Sequence, residues 1–114
     1  MGMIENLEAL IASGRDAAPV RFALASRYAA DGRLDRAVEH AQVAVTLDPD
    51  YSAAWKLLGR VLADSGRAEE AAAAYRRGID VAERRGDQQA AKEMRVFLKR
   101  LDRASGSSGS DKNN

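Results

Sequence analysis

A gap-free internal repeat between residues 18 and 85 constrains this chain more than any other feature. Six pairs of identical or similar residues recur at a spacing of 34: Leu24 with Leu58, Ala25 with Gly59, Gly32 with Gly66, Ala37 with Ala71, Ala44 with Gly78, and Val45 with Ile79. Repeats of this length are typical of helical hairpins that stack on one another in a row. The sequence therefore predicts a helical repeat fold before any single residue is interpreted.

Apolar spacing predicts that each copy is an antiparallel pair of helices. Repeat one spans 18–51 and repeat two spans 52–85, and in each a glycine, Gly32 or Gly66, falls between two apolar stripes of helical period. Glycine is a common helix stop, and Pro49 separates the two repeats because proline cannot continue a helix. The large residues of these stripes are assigned to the core: Tyr28, Trp55, Leu58 and Tyr75.

Two further helices are predicted to flank the repeats. Residues 3–13 carry an apolar stripe at intervals of three and four, and this short helix is expected to lie as a lid on the open face of repeat one. Residues 88–103 are predicted to form a capping helix with a charged outer face, as stacked repeats require. Residues 105–114 lack apolar side chains and are expected to be a disordered tail. The predicted organisation is a single all-α domain at 1–104, in which antiparallel hairpins stack as a short α-solenoid of about five helices.

Charge and cysteine content argue against several classes of function. The net charge of the 114 residues is +1, so the molecule as a whole offers little long-range attraction to nucleic acid or to an anionic membrane. The absence of cysteine removes disulfides, thiolate metal sites and cysteine nucleophiles. No stretch approaches the roughly 20 apolar residues of a membrane span, and Glu5 and Glu8 interrupt the apolar run that a secretion signal needs. A cytoplasmic protein without membrane contact is expected.

The residues that commonly perform catalysis are sparse and scattered. His40 is the only histidine and is expected on the solvent side of the second helix of repeat one, with no second metal ligand tied to it by spacing. Carboxylates such as Asp35 and Glu69 sit near helix ends, where capping and the helix dipole account for them. The glycines occur singly, so no phosphate-binding loop is predicted. We expect no enzyme, no metal or other cofactor, and no small-molecule substrate.

The doubled stretch resembles the tetratricopeptide repeat family, whose 34-residue helix–turn–helix unit carries the pattern W-x2-L-G-x2-Y…A-x3-F…P. Repeat two matches this pattern at Trp55, Leu58, Gly59, Ala71 and Tyr75. Repeat one matches it at Leu24, Tyr28, Ala37 and Pro49. The small residues of the pattern sit where paired helices cross closely, and the large ones fill the spaces between turns. An unrelated antiparallel helical bundle is the alternative.

The resemblance implies a right-handed superhelix with a concave groove that binds a peptide or a helical segment of another protein. In this family the first helix of each pair lines the groove. Lys56 and Arg60 stand four residues apart on one helical face and, with Phe22, favour an acidic or mixed apolar–acidic peptide. Alternatively, the two cations form only a solvated helix face. Carried over to this sequence, the groove-lining candidates are Phe22, Ser26, Ala29, Ala53, Lys56, Arg60 and Asp64.

The terminal helix leaves two other functions open. Phe97 and Leu101 could pack on a second copy of the chain, which predicts a weak homodimer, or a structural subunit of a larger assembly, in place of a monomeric adaptor. The same helix carries a basic stripe that would serve a nucleic-acid or anionic-surface contact, although no interleaved aromatic residue is available to stack on a base. The stripe consists of Lys92, Arg95, Lys99 and Arg103.

Overall fold

The computed structural model describes the backbone of residues 2–113 and the side chains of residues 2–104, and all regular structure within them is helical. α2 and α3 form the hairpin of repeat one, and α4 and α5 form that of repeat two. The predicted all-helical repeat fold is confirmed. The helices of this part of the chain are α1 (Met3–Ala12), α2 (Ala18–Ala30), α3 (Leu34–Leu47), α4 (Ser52–Asp64), α5 (Ala68–Arg85) and α6 (Gln88–Asn113).

The two hairpin turns are built in the same way. Gly32 and Gly66 follow α2 and α4 with backbone φ angles of +75° and +79°, a left-handed conformation that glycine adopts without the clash a Cβ would cause. The residue after each glycine donates its N–H to a carbonyl of the preceding helix, that of Tyr28 in repeat one and of Leu62 in repeat two, both at 2.9 Å. These bonds satisfy carbonyls that the end of a helix leaves without partners. The sequence repeat is thus also a repeat of backbone geometry.

The helices stack in sequence order, and the first helices of successive pairs also touch. Contacts join each helix to the next along the chain, while α2 also contacts α4 and α4 also contacts α6. α2, α4 and α6 therefore lie side by side in a front layer, with α3 and α5 behind them. This arrangement is a short α-solenoid, and it makes α6 the third helix of the front layer.

α1 lies against the first repeat. Ile4, Leu7 and Ile11 pack against the core of buried residues that runs through α2, α3, α4 and the first half of α5. Glu8 Oε2 accepts a hydrogen bond from the Tyr28 hydroxyl at 2.7 Å. An amphipathic helix of three turns is marginal alone in water, so this apolar contact and the tyrosine hydrogen bond hold α1 in place.

Glycines let the helices of repeat two approach closely. A Cβ added at Gly59 of α4 would lie 2.6 Å from the Tyr75 ring of α5, and one at Gly78 of α5 would overlap Met94 Sδ of α6 and lie 2.8 Å from Trp55 Cβ. Side chains pack at interior density only when the backbones can approach in this way. The two glycines therefore set how α5 sits on α4 and how α6 sits on α5.

The number and the ends of the helices differ from the sequence prediction. The two hairpins account for four helices, and α1 and α6 bring the total within residues 2–113 to six rather than about five. α6 continues to Asn113 instead of ending at 103. The predicted disordered tail, 105–114, falls on residues whose side chains lie outside the described part of the chain.

Trp55 differs from the other large residues assigned to the core. The other three are 2–3% exposed, whereas Trp55 is only partly buried. Its indole Nε1 donates to the Pro49 carbonyl at 2.8 Å, and the Arg77 guanidinium lies 5.2 Å from the centre of the ring. Because an indole N–H needs a hydrogen-bond partner, the tryptophan lies at the junction between the repeats rather than in the centre of the core.

His40 is buried, which corrects its predicted place on the solvent side of its helix. It is 6% exposed, and its ring stacks on Tyr28 with the centroids 5.4 Å apart. Arg21 Nη1 lies 3.0 Å from Nδ1; since a guanidinium only donates, Nδ1 accepts and the neutral ring carries its proton on Nε2. Nε2 has no hydrogen-bond partner among the described residues. Burial, and after it the charge of Arg21, lowers the pKa of His40.

Gly59→Ala is expected to lower the free energy of unfolding by about 1–3 kcal/mol, because the added methyl group overlaps the Tyr75 ring. Urea unfolding followed by circular dichroism measures this. In repeat one the positions aligned with Gly59 and Tyr75 hold Ala25 and Ala41, so Gly59→Ala made together with Tyr75→Ala reproduces that alanine pair in repeat two. There the same change is expected to be neutral or stabilising, since alanine favours a helix over glycine by about 1 kcal/mol. Equal destabilisation in both backgrounds would contradict the close approach.

The stability of the protein is expected to depend on the His40 proton. Because folding lowers the pKa of His40, the unfolded chain binds a proton more readily than the folded chain does at mildly acidic pH. The free energy of unfolding should therefore fall as pH drops below the ordinary histidine pKa of 6.5. A single proton limits the slope to about 1.4 kcal/mol per pH unit. Urea unfolding of wild type and of His40→Gln between pH 7.5 and 5.5 measures it, and parallel pH profiles would refute the assignment.

Candidate functional site

The front layer carries an open cleft where α2, α4 and α6 meet. We call it the α2–α4–α6 cleft; it has a volume of about 460 Å³. Each of the three helices contributes side chains to its walls, so no single repeat could form it. The lining residues are Phe22 and Ser26 from α2, Ala53, Lys56, Leu57 and Arg60 from α4, and Glu93 and Phe97 from α6.

Five of the seven predicted groove residues line this cleft and two do not. Ala29 lies one turn nearer the hairpin turn of repeat one, where it is partly buried and packs against the core. Asp64 is exposed and lines a neighbouring cleft that Arg60 also borders. Five of the predicted residues thus share one cleft, while Ala29 and Asp64, near the C-terminal ends of α2 and α4, lie outside it.

The sequence prediction missed the contribution of α6. Glu93 and Phe97 stand one helical turn apart, as Lys56 and Arg60 do in α4, and both line the cleft. The residues of α6 do not follow the 34-residue register, and Glu93 pairs with Lys56 at a separation of 37. The order of the helices could have indicated this contribution. A helix that follows two hairpins takes the place of the first helix of a third hairpin, and the first helices line the cleft.

Lys56 is engaged within the chain, so it does not offer a free charge to a partner. Its Nζ donates to Glu93 Oε1 at 2.7 Å, and Gln89 Nε2 donates to the other carboxylate oxygen at 3.0 Å. The hydrogen bond from Lys56, and after it that from Gln89, lowers the pKa of Glu93. Arg60 is exposed and forms no ion pair with any residue of the described range. The free cation of the cleft is therefore Arg60.

Aromatic rings define the two ends of the cleft. At the α2 end, Phe22 packs on Tyr51 with ring centroids 5.1 Å apart. At the α6 end, Phe97 packs on Tyr75 at 5.7 Å, and the Arg100 guanidinium lies 5.8 Å from the Phe97 ring centre. Both phenylalanines remain partly exposed. The cleft thus presents apolar rings on either side of a central charged segment.

The terminal helix uses much of its surface within the chain. Phe97 and Leu101, the residues that would join two copies, pack against the chain's own core. In the basic stripe, Arg95 pairs with Glu83 of α5. In residues 2–104 no group of three or more His, Asp or Glu side chains is arranged to hold a metal ion. None of the described helices is long and apolar enough to cross a membrane.

Paired helices of repeated geometry with a cleft along their first helices define an α-helical repeat protein of the solenoid class. Residues 28–94 match the tetratricopeptide repeat family. The chain belongs to the tetratricopeptide repeat family. Proteins of this family are generally non-catalytic modules that bind other proteins.

Several relatives resemble the chain to different extents. A TPR repeat-containing protein of Pseudomonas aeruginosa is 48% identical over 102 residues, which cover 90% of this chain and 97% of the relative. The solution structure of a Bordetella parapertussis protein superposes with a TM-score of 0.82 at 40% identity, covering 96% of both chains. A heat-shock protein cognate co-chaperone of Aspergillus fumigatus is 39% identical over 56 residues, which are 49% of this chain and 16% of the relative.

Replacing Lys56 with Gln is expected to raise the pKa of Glu93 toward its ordinary value, because the largest cause of its lowering is the hydrogen bond from Lys56. A carbon-detected NMR titration of the glutamate carboxyls between pH 2.5 and 7 measures this. Arg85→Gln, which removes an exposed cation at the end of α5, serves as the control and should leave the Glu93 titration unchanged. A Glu93 pKa that is the same in wild type and Lys56→Gln would show that the ion pair does not persist in solution.

Proposed function

We propose that this protein is a non-catalytic protein-interaction module that binds a segment of a partner protein in the α2–α4–α6 cleft. The observation that carries this proposal is the convergence of Phe22, Arg60 and Phe97 from three different helices on one open cleft. Aromatic and arginine side chains supply most of the binding energy in typical protein interfaces. A cleft of about 460 Å³ accommodates a few side chains of an extended peptide or of one helix face.

The charges of the cleft favour a segment that mixes apolar and acidic residues. The Lys56–Glu93 pair is internally neutral, which leaves Arg60 as the unbalanced charge. A partner carboxylate beside Arg60 would neutralise that charge, while apolar partner side chains cover Phe22 and Phe97. We therefore assign the acidic preference to Arg60 and the two rings rather than to Lys56 and Arg60 together.

The relatives support binding to protein rather than to a small molecule. One related stretch belongs to a co-chaperone, a class of protein that works on other proteins, although this chain matches only 16% of it. The match to a TPR repeat-containing relative covers 90% of this chain and 97% of that relative. These resemblances support an adaptor role, and the partner of this chain is to be found by experiment.

The proposal is tested by identifying the partner and then measuring its affinity. Affinity capture from the native cell extract, followed by peptide arrays of each captured protein, supplies the binding segment as a synthetic peptide. Isothermal titration calorimetry with that peptide at low salt compares wild type, Phe22→Ala and Arg60→Glu. Each change is expected to weaken binding about tenfold, because each removes a central contact or reverses the free charge.

Arg85→Glu is the matched control, since it makes the same charge reversal at an exposed site that lines no part of the cleft. It should leave the affinity within about twofold of wild type, because rim and remote charges act weakly through solvent. Affinities unchanged in both Phe22→Ala and Arg60→Glu would refute binding in this cleft. Circular dichroism melting of each variant separates loss of binding from loss of fold.

A further inference from the structure

A second cleft adjoins the first near the middle of α6, at Phe97, Arg100 and Leu101. We call it the α4–α5–α6 cleft; it has a volume of about 410 Å³. Arg60 and Phe97 line both clefts, so a segment lying along the front layer passes from one to the other. Tyr75 of α5 also lines this cleft, and α5 contributes none of the predicted groove residues. Its walls consist of Arg60, Ala63 and Asp64 from α4, Tyr75 from α5, and Phe97, Arg100 and Leu101 from α6.

Tyr75 places a polar atom without a partner in this cleft. The residue is 3% exposed, and its hydroxyl makes no hydrogen bond with any described residue. Among the described residues, His40 Nε2 is the only side-chain polar atom that is both fully buried and without a hydrogen-bond partner. The Tyr75 oxygen also lacks a partner, so it cannot be fully buried. The small exposed part of Tyr75 therefore includes its oxygen, and the cleft is the opening that it lines. Buried hydroxyls normally find a partner, so this one is available to a ligand.

The Tyr75 hydroxyl is a hydrogen-bond donor throughout the physiological range. Burial raises the pKa of Tyr75 to about 12, with a smaller contribution from the charge of Asp64. Asp64 and Arg60 line the same cleft as Tyr75. A neutral phenol in this position can donate its proton to an acceptor bound in the cleft.

Two arginines stand beside this donor. Arg60 and Arg100 both line the cleft, and neither forms an ion pair with a residue in 2–104. The Arg100 guanidinium stays near the Phe97 ring, which holds its position over the apolar wall. Asp64 is the only carboxylate among the lining residues, so the walls carry an excess of one positive charge. A ligand that brings one carboxylate balances that charge.

The remainder of the cleft is apolar. Ala63, Phe97 and Leu101 form its surface together with the ring of Tyr75. A volume of about 410 Å³ exceeds what a carboxylate alone would fill, so an apolar side chain must enter with it. An acidic residue next to a large apolar residue in an extended or helical segment meets both requirements at once.

We propose that the α4–α5–α6 cleft binds a glutamate or aspartate side chain of the partner segment together with an adjacent aromatic or large aliphatic residue. Tyr75 and the guanidinium groups of Arg60 and Arg100 donate hydrogen bonds to the carboxylate, and Phe97 and Leu101 cover the apolar side chain. This inference rests on the proposed function, because it names the chemistry that one end of the partner segment presents. It adds Tyr75, Arg100 and Leu101 to the residues that select the partner.

Small probes test the cleft without knowledge of the partner. The full chain, labelled with nitrogen-15, is titrated at low salt with N-acetyl-Phe-Glu-amide and with its uncharged isostere N-acetyl-Phe-Gln-amide. Chemical shifts of the backbone amides report both the affinity and the site. The glutamate probe is expected to bind about fivefold more tightly than the glutamine probe, and its shifts should concentrate at residues 60–64, 75 and 97–101. Equal affinities, or shifts concentrated elsewhere, would overturn the proposal.

Two variants assign the carboxylate to its donors. Tyr75→Phe and Arg100→Gln are each expected to weaken the glutamate probe about threefold to fivefold. The glutamine probe should be weakened less, because its neutral carbonyl accepts a weaker hydrogen bond than a carboxylate does. Tyr75→Phe should fold as stably as wild type, because the hydroxyl that it removes has no partner in the free protein. Arg85→Gln, which removes a cation outside the cleft, should change neither affinity. Loss of affinity for both probes alike in Tyr75→Phe would show a packing effect and refute the assigned hydrogen bond.

A third probe and the natural peptide complete the test. N-acetylphenylalanine carries its carboxylate at the chain end, and tighter binding of this probe than of N-acetyl-Phe-Glu-amide would overturn the choice of an acidic side chain.

The partner peptide separates this inference from the proposed function. If Phe22→Ala weakens that peptide while Tyr75→Phe and Arg100→Gln do not, the α2–α4–α6 cleft keeps its role and the present inference fails. If the glutamate probe selects the α4–α5–α6 cleft and Tyr75→Phe weakens the peptide while Phe22→Ala does not, binding in the α2–α4–α6 cleft fails instead.

Discussion

The close approach of helices at Gly59 and Gly78 is the constraint on which the rest of the structure depends. Tyr75 lies directly over Gly59, and Met94 and Trp55 crowd Gly78, so any side chain at either glycine would push the helices apart. Since interiors pack as densely as organic crystals, a shift of this kind spreads to every neighbour. Both clefts are lined by side chains of α4 and α6, the two helices whose positions against α5 depend on these glycines.

The two repeats reach the same fold with different side chains. At aligned positions, a small residue in one repeat replaces a larger one in the other, or a polar residue replaces an apolar one. Repeat two pairs a glycine with a large ring, whereas the aligned positions of repeat one hold two alanines, Ala25 and Ala41. At the position of Trp55, repeat one has Arg21, which pairs with Asp16 at 2.7 Å and hydrogen bonds to the buried His40. A polar network thus takes the place of the tryptophan. Such a network is stable only when its members remain correctly protonated. Because burial lowers the pKa of His40, protonation of His40 at acidic pH should disturb this network.

The candidate site was predictable only as far as the repeat register extends. Positions such as Phe22 and Arg60 follow from helical periodicity and a fixed spacing, because a regular helix turns the same face every three to four residues. Glu93 and Phe97 were missed because α6 leaves the register, so its facing residues depend on the angle at which it packs on Gly78. His40 was misplaced for a related reason: the polar neighbours in its sequence gave no sign that Arg21, 19 residues away, would supply a partner for a buried ring.

The sequence by itself determined the class of fold, the helix pairs and the turns, because a 34-residue period and glycines at fixed offsets are local signals that each copy repeats. It also indicated that Phe22 and Ser26 of α2 and Lys56 and Arg60 of α4 share one face, and the structure brings these four residues to one cleft. Only the tertiary structure decided which charges are free: Lys56 is neutralised by Glu93 on another helix, while Arg60 and Arg100 are not paired within the described residues. Contacts between distant helices depend on packing angles and side-chain volumes across the whole core, and no local pattern encodes them. The doubled stretch therefore specifies the scaffold, and the way α6 closes against it determines what the scaffold can hold.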